Sequence, residues 1–307
     1  MKILITGGTG MVGSAFKSVQ TDHQLILLGS DDYDLRQASD CRRMVVDNKP
    51  DGIIHLAAKV GGVKGNTDFV ADFFHENILI NSNVLNEAKN HRVKKVVSLL
   101  STCIYPAKPH YPLTEGQIHG GEPHSSNFGY AYAKRMLEVH SRAIRQQYKL
   151  NYVTAVPNNI YGKNDNFDLH SGHVIPAIIR KIHESKQTGK VPRFWGTGRA
   201  VREFTYSNDI ARALLWMLEN YDSPLPLNIG NTGEISIYDL VLKIQNIMGA
   251  ATSSIWDDQM PEGQFKKPSS NTRFLTQNQD FIYTDFDRGL SKTIDWYTKE
   301  YPNVRGI

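Results

Sequence analysis

Short, continuous apolar runs alternate with longer amphipathic stretches through the first half of the chain, and few folds accept that alternation. The runs are Lys2–Thr6 (KILIT), Gln24–Leu28 (QLILL), Gly52–Leu56 (GIIHL), Lys95–Ser101 (KVVSLLS) and Tyr152–Pro157 (YVTAVP). A strand with one wet face alternates polar and apolar residues, whereas these runs suit strands buried on both faces. The stretches between them, Met11–Gln20, Gln37–Asn48, Phe69–His91 and Tyr130–Gln147, have the length and spacing of helices. A helix between each pair of buried strands implies a doubly wound parallel α/β sheet. A helix near Asp209–Glu219 and a strand at Leu225–Ile229 (LPLNI) extend the pattern. Pro, Gly and Asn thicken after Pro157, and Ala251–Asn271 reads as loop.

Composition sets the outer limits. The 307 residues, 40% hydrophobic and 21% charged, can bury a large core and carry no mark of disorder. A net charge of +4 suits an anionic small molecule but is too weak and scattered to argue for nucleic acid. The two cysteines, Cys41 and Cys103, allow neither a disulfide framework nor a paired-cysteine zinc site, as befits a reducing compartment. No apolar run is long enough to span a bilayer, and the chain enters its first strand at once, so no signal peptide fits and a cytoplasmic location is expected.

Between the first strand and the first helix lies Gly7-x-x-Gly10-x-x-Gly13. At such a junction the first glycine permits a tight turn, the second lets a pyrophosphate approach the backbone, and the third packs helix on strand. The helix N-terminus adds free N–H groups and the positive end of its dipole. A glycine pattern alone also fits a plain βα turn, but its place at the head of an alternating chain favours a dinucleotide site. The chain is therefore divided into a dinucleotide-binding domain, 1–162 plus about 205–232, and a smaller interleaved substrate lobe, about 163–204 plus 233–307. The end of the second strand reads Leu28-Gly-Ser-Asp31-Asp32-Tyr-Asp-Leu-Arg36. Carboxylates there favour the free ribose hydroxyls of NAD, unless Asp31 and Asp32 merely cap a turn or Arg36 reaches a 2′-phosphate.

Ser101-Thr102-Cys103 follows the fourth strand at its carboxyl end, where ligands bind in such sheets. Tyr130 and Lys134 are four residues apart and share one helix face. A phenol titrates near ~10 and a neighbouring ammonium favours its ionised form, which brings it towards acid–base work. Ser101 would hold the oxygen that Tyr130 protonates, and Lys134 would also bond a ribose. Tyr-x-x-x-Lys alone is as common as any surface pair; the glycine loop upstream and Ser101 between them are what favour chemistry. Tyr132, two residues from Lys134, faces elsewhere. His170 and His173 have no carboxylate or thiol cluster beside them, so no metal is expected.

The segments Leu100-Ser-Thr-Cys-Ile-Tyr-Pro106, His124-Ser-Ser-Asn-Phe-Gly-Tyr-Ala-Tyr-Ala-Lys-Arg135, Asn164-Asp-Asn-Phe167 and Gly172-His-Val-Ile-Pro176 resemble the GDP-L-fucose synthase family of extended short-chain dehydrogenases/reductases. The likeness continues through Trp195-Gly-Thr-Gly198, Arg202-Glu-Phe204 and Gly263-Gln-Phe-Lys-Lys267. It implies a Rossmann-type sheet and two activities on GDP-4-keto-6-deoxy-D-mannose, epimerisation at C3 and C5 and reduction at C4 by NADP(H), giving GDP-L-fucose. It implies Cys103 as base and His173 as acid in epimerisation, with Ser101, Tyr130 and Lys134 in reduction. It further implies cofactor contacts at Gly7, Thr9, Gly10, Met11, Val12, Gly13, Leu99, Lys134, Pro157, Asn159, Ile160 and His173. Lys181, Trp195, Arg202 and Lys267 are implied around the nucleotide diphosphate, and a homodimer paired through the two long helices. Asn158, where the family more often has Thr, and Asp31, where it usually has a basic residue nearby, depart from its pattern.

Each residue also has a bland reading: Cys103 as a small buried hydrophobe, His173 as a structural histidine, Trp195 as a core aromatic, Arg202 as the partner of Glu203. A dehydratase would need an acid where Cys103 stands. A simple 4-epimerase would hold NAD and need neither Cys103 nor His173. A non-catalytic dinucleotide sensor has no use for an intact Tyr130 and Lys134.

Overall fold

The structure, a computed structural model, describes residues 1–250, 253–260 and 264–307. Gly263 and part of the Ala251–Asn271 stretch lie outside the described residues. In the first half come β1 (Lys2–Thr6), α1 (Met11–Ala15), β2 (Gln24–Leu28), α2 (Ala38–Asn48), β3 (Gly52–His55), α3 (Val63–Asp68), α4 (Val70–Asn90), β4 (Lys95–Leu99), α5 (Phe128–Tyr148) and β5 (Asn151–Val156). There follow β6 (Asn159–Tyr161), α6 (Val174–Thr188), β7 (Arg193–Trp195), β8 (Val201–Tyr206), α7 (Ser207–Asn220) and β9 (Leu227–Asn228). The chain continues through β10 (Glu234–Ser236), α8 (Ile237–Ile247), β11 (Ile255–Asp257), α9 (Thr272–Gln277) and α10 (Phe286–Glu300).

Six strands in the order β2-β1-β3-β4-β5-β9 form a parallel sheet. Alternate residues of each strand feed two cores. Ile3, Ile5, Val97 and Val153 pack with Ile210 and Leu214 of α7 on one face. Leu4, Ile53, Val96 and Tyr152 pack with Met44, Val84 and Leu137 of α2, α4 and α5 on the other. Helices on both faces are why the strands are apolar throughout. The strand order reverses at β1 and β3, which opens a crevice at their carboxyl ends.

The chain leaves this sheet between β5 and β6, at Pro157-Asn158. A smaller sheet, β10-β8-β6, and a pair, β11-β7, build the second lobe with α6, α8 and α10. Three helices there exceed the irregular reading drawn from Pro and Gly density. Their caps carry local signals: Ser236 accepts the Asp239 N–H at 3.0 Å, and Asp285 accepts the Arg288 N–H at 3.0 Å. Elsewhere the helix over Met11–Gln20 ends at Ala15 and passes into a 3₁₀ turn, because the chain must turn back to lay Gln24 beside Lys2. The helix over Tyr130–Gln147 begins two residues earlier, at Phe128, led in by a 3₁₀ turn that His124 caps.

Candidate active site

The glycine loop divides its labour by geometry. Gly7 has φ +68°, a left-handed turn, and a Cβ there would lie 2.9 Å from the Ala57 nitrogen. At Gly13 a Cβ would lie 2.2 Å from the Gly7 carbonyl oxygen, so helix and loop touch through it. At Gly10 the nearest atom is the same oxygen at 3.3 Å. A Cβ at Gly10 would thus be tight, asking a few tenths of an ångström of that oxygen, far less than at Gly13, and its missing side chain leaves an approach to the N–H groups that open α1. Val12 is buried in the core below, and Thr9 covers Gly29 at the end of β2. These features fit a dinucleotide pyrophosphate. Beyond β2, Asp32 accepts the Gly29 N–H at 2.8 Å, a turn cap. Arg36, half exposed, bonds Asp34 at 2.9 Å and Glu76 at 3.4 Å.

Ser101 caps the short turn Thr102–Ile104, its hydroxyl accepting the Cys103 N–H at 3.3 Å. That turn is what brings a half-buried thiol to the end of β4. Helix α5 crosses it and carries Tyr130 and Lys134. The Lys134 Nζ donates to the Leu99 carbonyl at 2.8 Å and stands 5.9 Å from the Tyr130 ring centre. Lys134 is only 2% exposed, and burial pulls its pKa down to about 8. Burial, and then the Cys103 sulfur, push Tyr130 well above the ordinary phenol value. A phenol raised in this way keeps its proton at neutral pH.

Lys267 comes to the same place from the far end of the chain. Burial lowers its pKa, opposed by Cys103 and reinforced by Arg202, so these three groups act on one another. Arg202 donates to the carbonyls of Val201 at 2.8 Å and Phe265 at 3.3 Å. The structure thus gathers Ser101, Cys103, Tyr130, Lys134, Arg202 and Lys267. Lys181 and Trp195 line a separate cleft of about 470 Å³, in which the Lys181 Nζ stands 5.9 Å from the Trp195 ring centre. His173 precedes α6 on a loop where the Gly62 N–H donates to the Ser171 carbonyl at 3.0 Å. Desolvation by the protein around it lowers its pKa, and Arg305 lowers it further.

In the loop after β5, Pro157 is buried, and Ile160 is half-buried in β6. Asn159 donates to the Glu203 carbonyl at 2.8 Å and Asn158 to the Glu203 carboxylate at 3.2 Å, so both amides are committed within the protein. Sequence reading took Glu203 only as a partner for Arg202, and missed Ser269 and His55. His55 is buried at the end of β3, with its two ring nitrogens bonded to Thr6 at 2.8 Å and Asn81 at 3.1 Å. Burial, with Lys134 nearby, drags its pKa to about 3, so it is neutral. The only signal for it was a histidine inside an apolar strand. Among the described residues no cluster of three or more His, Cys, Asp or Glu could hold a metal, and no helix is long and apolar enough to cross a membrane.

A parallel sheet with a glycine loop after β1 and a Tyr-x-x-x-Lys helix beside β4 defines the short-chain dehydrogenase/reductase class. The model of the NAD-dependent epimerase/dehydratase family matches residues 3–230. A GDP-L-fucose synthase of Dictyostelium discoideum is 39% identical over 99% of this chain and 97% of its own. A probable GDP-L-fucose synthase of Drosophila melanogaster is 36% identical over 99% of each. The structure of a GDP-L-fucose synthetase from Naegleria fowleri bound to NADP superposes with a TM-score of 0.93 at 37% identity, covering 99% of this chain and 94% of that one. The chain belongs to the NAD-dependent epimerase/dehydratase family and, within it, to the GDP-L-fucose synthases.

Proposed function

We propose that the chain converts GDP-4-keto-6-deoxy-D-mannose to GDP-L-fucose by epimerising C3 and C5 and then reducing C4, with NADP(H) as cofactor. The placement of Cys103 among Tyr130 and Lys267 carries this reading. Reduction alone needs no thiol there, whereas epimerisation needs a base at the reduction site. The 4-ketone acidifies the protons on C3 and C5, because the carbanion left behind is an enolate. Cys103 as thiolate takes the proton, and His173 returns one to the opposite face. Lys267 lies close enough to Cys103 for the two groups to interact electrostatically.

For reduction, NADPH supplies the hydride. Tyr130 gives its O–H proton to O4 as C4 becomes tetrahedral, and Ser101 donates a hydrogen bond to the same oxygen. The Lys134 ammonium, 5.9 Å from the ring centre, then faces the phenolate it helps to stabilise. The fit of the glycine loop and the NADP of the Naegleria structure support the cofactor. Arg202 and Lys267 meet the diphosphate, and Lys181 and Trp195 line the nucleotide's cleft. The division of the chain is supported by its exit from the large sheet between β5 and β6, which falls at Pro157-Asn158 rather than at 162, since β6 already belongs to the smaller sheet. Phe274, Phe281 and Tyr283 pack with the first core, so this stretch departs from a second lobe running over 233–307. A homodimer through α4 and α5 is supported by Phe74, Met136 and Tyr148, which are exposed on these helices; sedimentation as a monomer would refute it.

The deciding assay follows NADPH absorbance with GDP-4-keto-6-deoxy-D-mannose and identifies the product by NMR. GDP-L-fucose establishes the reading. A C4 alcohol of unchanged C3 and C5 configuration keeps the reductase and removes Cys103 and His173 from their roles. No oxidation of NADPH or NADH refutes it. Product identification matters because a GDP-L-colitose synthase of Yersinia pseudotuberculosis is also 34% identical over 99% of this chain.

A further inference from the structure

Glu203 is 2% exposed and carries a carboxylate, a group costly to bury unless every oxygen is bonded. Its neighbour Arg202 lies towards Lys267, and strand alternation turns Glu203 to the other face of β8. There it accepts the Ser269 N–H at 3.0 and 3.1 Å on its two oxygens, the Ser269 hydroxyl at 2.5 Å, and the Asn158 amide at 3.2 Å. The Asn158 oxygen accepts from Thr205 at 2.6 Å, which fixes the amide so that its NH₂ faces Glu203. Every one of these partners donates, so only a group that accepts throughout satisfies them.

What the carboxylate joins is more telling than how it is paired. Ser269 is two residues from Lys267, and Asn158 lies in the loop after β5. Residues 265–270 run along β8, with the Val201 N–H donating to the Phe265 carbonyl at 2.8 Å. Their other side is held by Leu113, whose N–H donates to the Pro268 carbonyl at 2.8 Å and whose carbonyl accepts the Ser270 N–H at 3.0 Å. Tyr111 also donates to the Lys266 carbonyl at 2.9 Å and Lys266 pairs with Glu234 at 2.8 Å, while Glu203 bonds this segment and the loop at Asn158 at once.

We propose that Glu203 is a positioning residue of the substrate subsite: it fastens the segment bearing Lys267 to the loop at Asn158 and so sets where Lys267 and Arg202 meet the diphosphate. The inference rests on the reading of those two cations as diphosphate ligands. Glu203→Gln keeps the shape but turns an NH₂ against one of the donors, and Ser269→Ala removes one donor alone.

The test combines hydrogen exchange over 264–270 without ligand with GDP and NADP⁺ binding by calorimetry. We expect faster exchange confined to that segment, GDP affinity lowered about tenfold in Glu203→Gln and about threefold in Ser269→Ala, and NADP⁺ affinity held within about threefold. Unchanged exchange and GDP affinity in Glu203→Gln would overturn the proposal, as would exchange that rises throughout the chain. Should Glu203→Gln not fold, Ser269→Ala decides by the same measurements. A parent protein that binds no GDP would defeat the diphosphate reading, while exchange over 264–270 would still decide whether Glu203 is the anchor.

Discussion

Replacing Gly10 or Gly13 by Ala adds the same methyl group to the same loop, yet the two changes should fail differently. At Gly13 the new Cβ would lie 2.2 Å from the Gly7 carbonyl oxygen and 2.5 Å from the Gly8 Cα, all backbone that cannot rotate away. Overpacking of that kind costs about 1–3 kcal/mol, and more where nothing yields. At Gly10 the nearest atom is 3.3 Å away, and the backbone, at φ −75° and ψ 179°, is open to any residue. Ala is a poorer helix cap than Gly, but it also restricts the unfolded chain, and the two effects offset to within about 1 kcal/mol. Gly13→Ala should therefore lower the thermal midpoint by several degrees, whereas Gly10→Ala, which asks one carbonyl oxygen to give by a few tenths of an ångström, should lower it clearly less. Gly10→Ala should nevertheless weaken NADPH binding at least about tenfold, some 1.4 kcal/mol, because its methyl group stands where a phosphate would approach. Thermal unfolding and NADPH titration by fluorescence separate the two. Wild-type NADPH affinity in a folded Gly10→Ala protein would refute this placement of the pyrophosphate.

Tyr130→Phe should slow C4 reduction by about 10²–10⁴-fold while C3 and C5 still exchange protons with D₂O, so the epimerised ketone accumulates; full reductase activity would remove Tyr130 from its role. Cys103→Ser should slow exchange at C3 and C5 by about a hundredfold or more with NADPH binding intact. Equal loss of both would make the cysteine structural. The ammonium of Lys134, with its pKa pulled to about 8, is present below that pH and lost above it. The reduction kcat/KM should accordingly fall about tenfold per pH unit above roughly 8, rather than stay flat to ~10 as for an ordinary lysine.

The strands, the phosphate loop and the Tyr130–Lys134 pair were legible because each is a local regularity: continuous apolar runs, glycines at fixed offsets, two residues one helical turn apart. The helices of the second lobe were also written locally, in the caps Ser236-x-x-Asp239 and Asp285-x-x-Arg288, but frequent Pro and Gly obscured them. Arg36 shows what position alone leaves out, since its guanidinium also meets Glu76, 40 residues away.

By itself, then, the sequence determined the parallel sheet, the site at its carboxyl edge and the chemical types available there, since all of these follow from short-range pattern. Only the tertiary structure decided which distant residues meet. Glu203 bonds Asn158 and Ser269 across 45 and 66 residues, and Lys267 reaches Cys103 from the other end of the chain. Such meetings depend on where loops are carried by the packing of two lobes, and no spacing in a linear sequence encodes that.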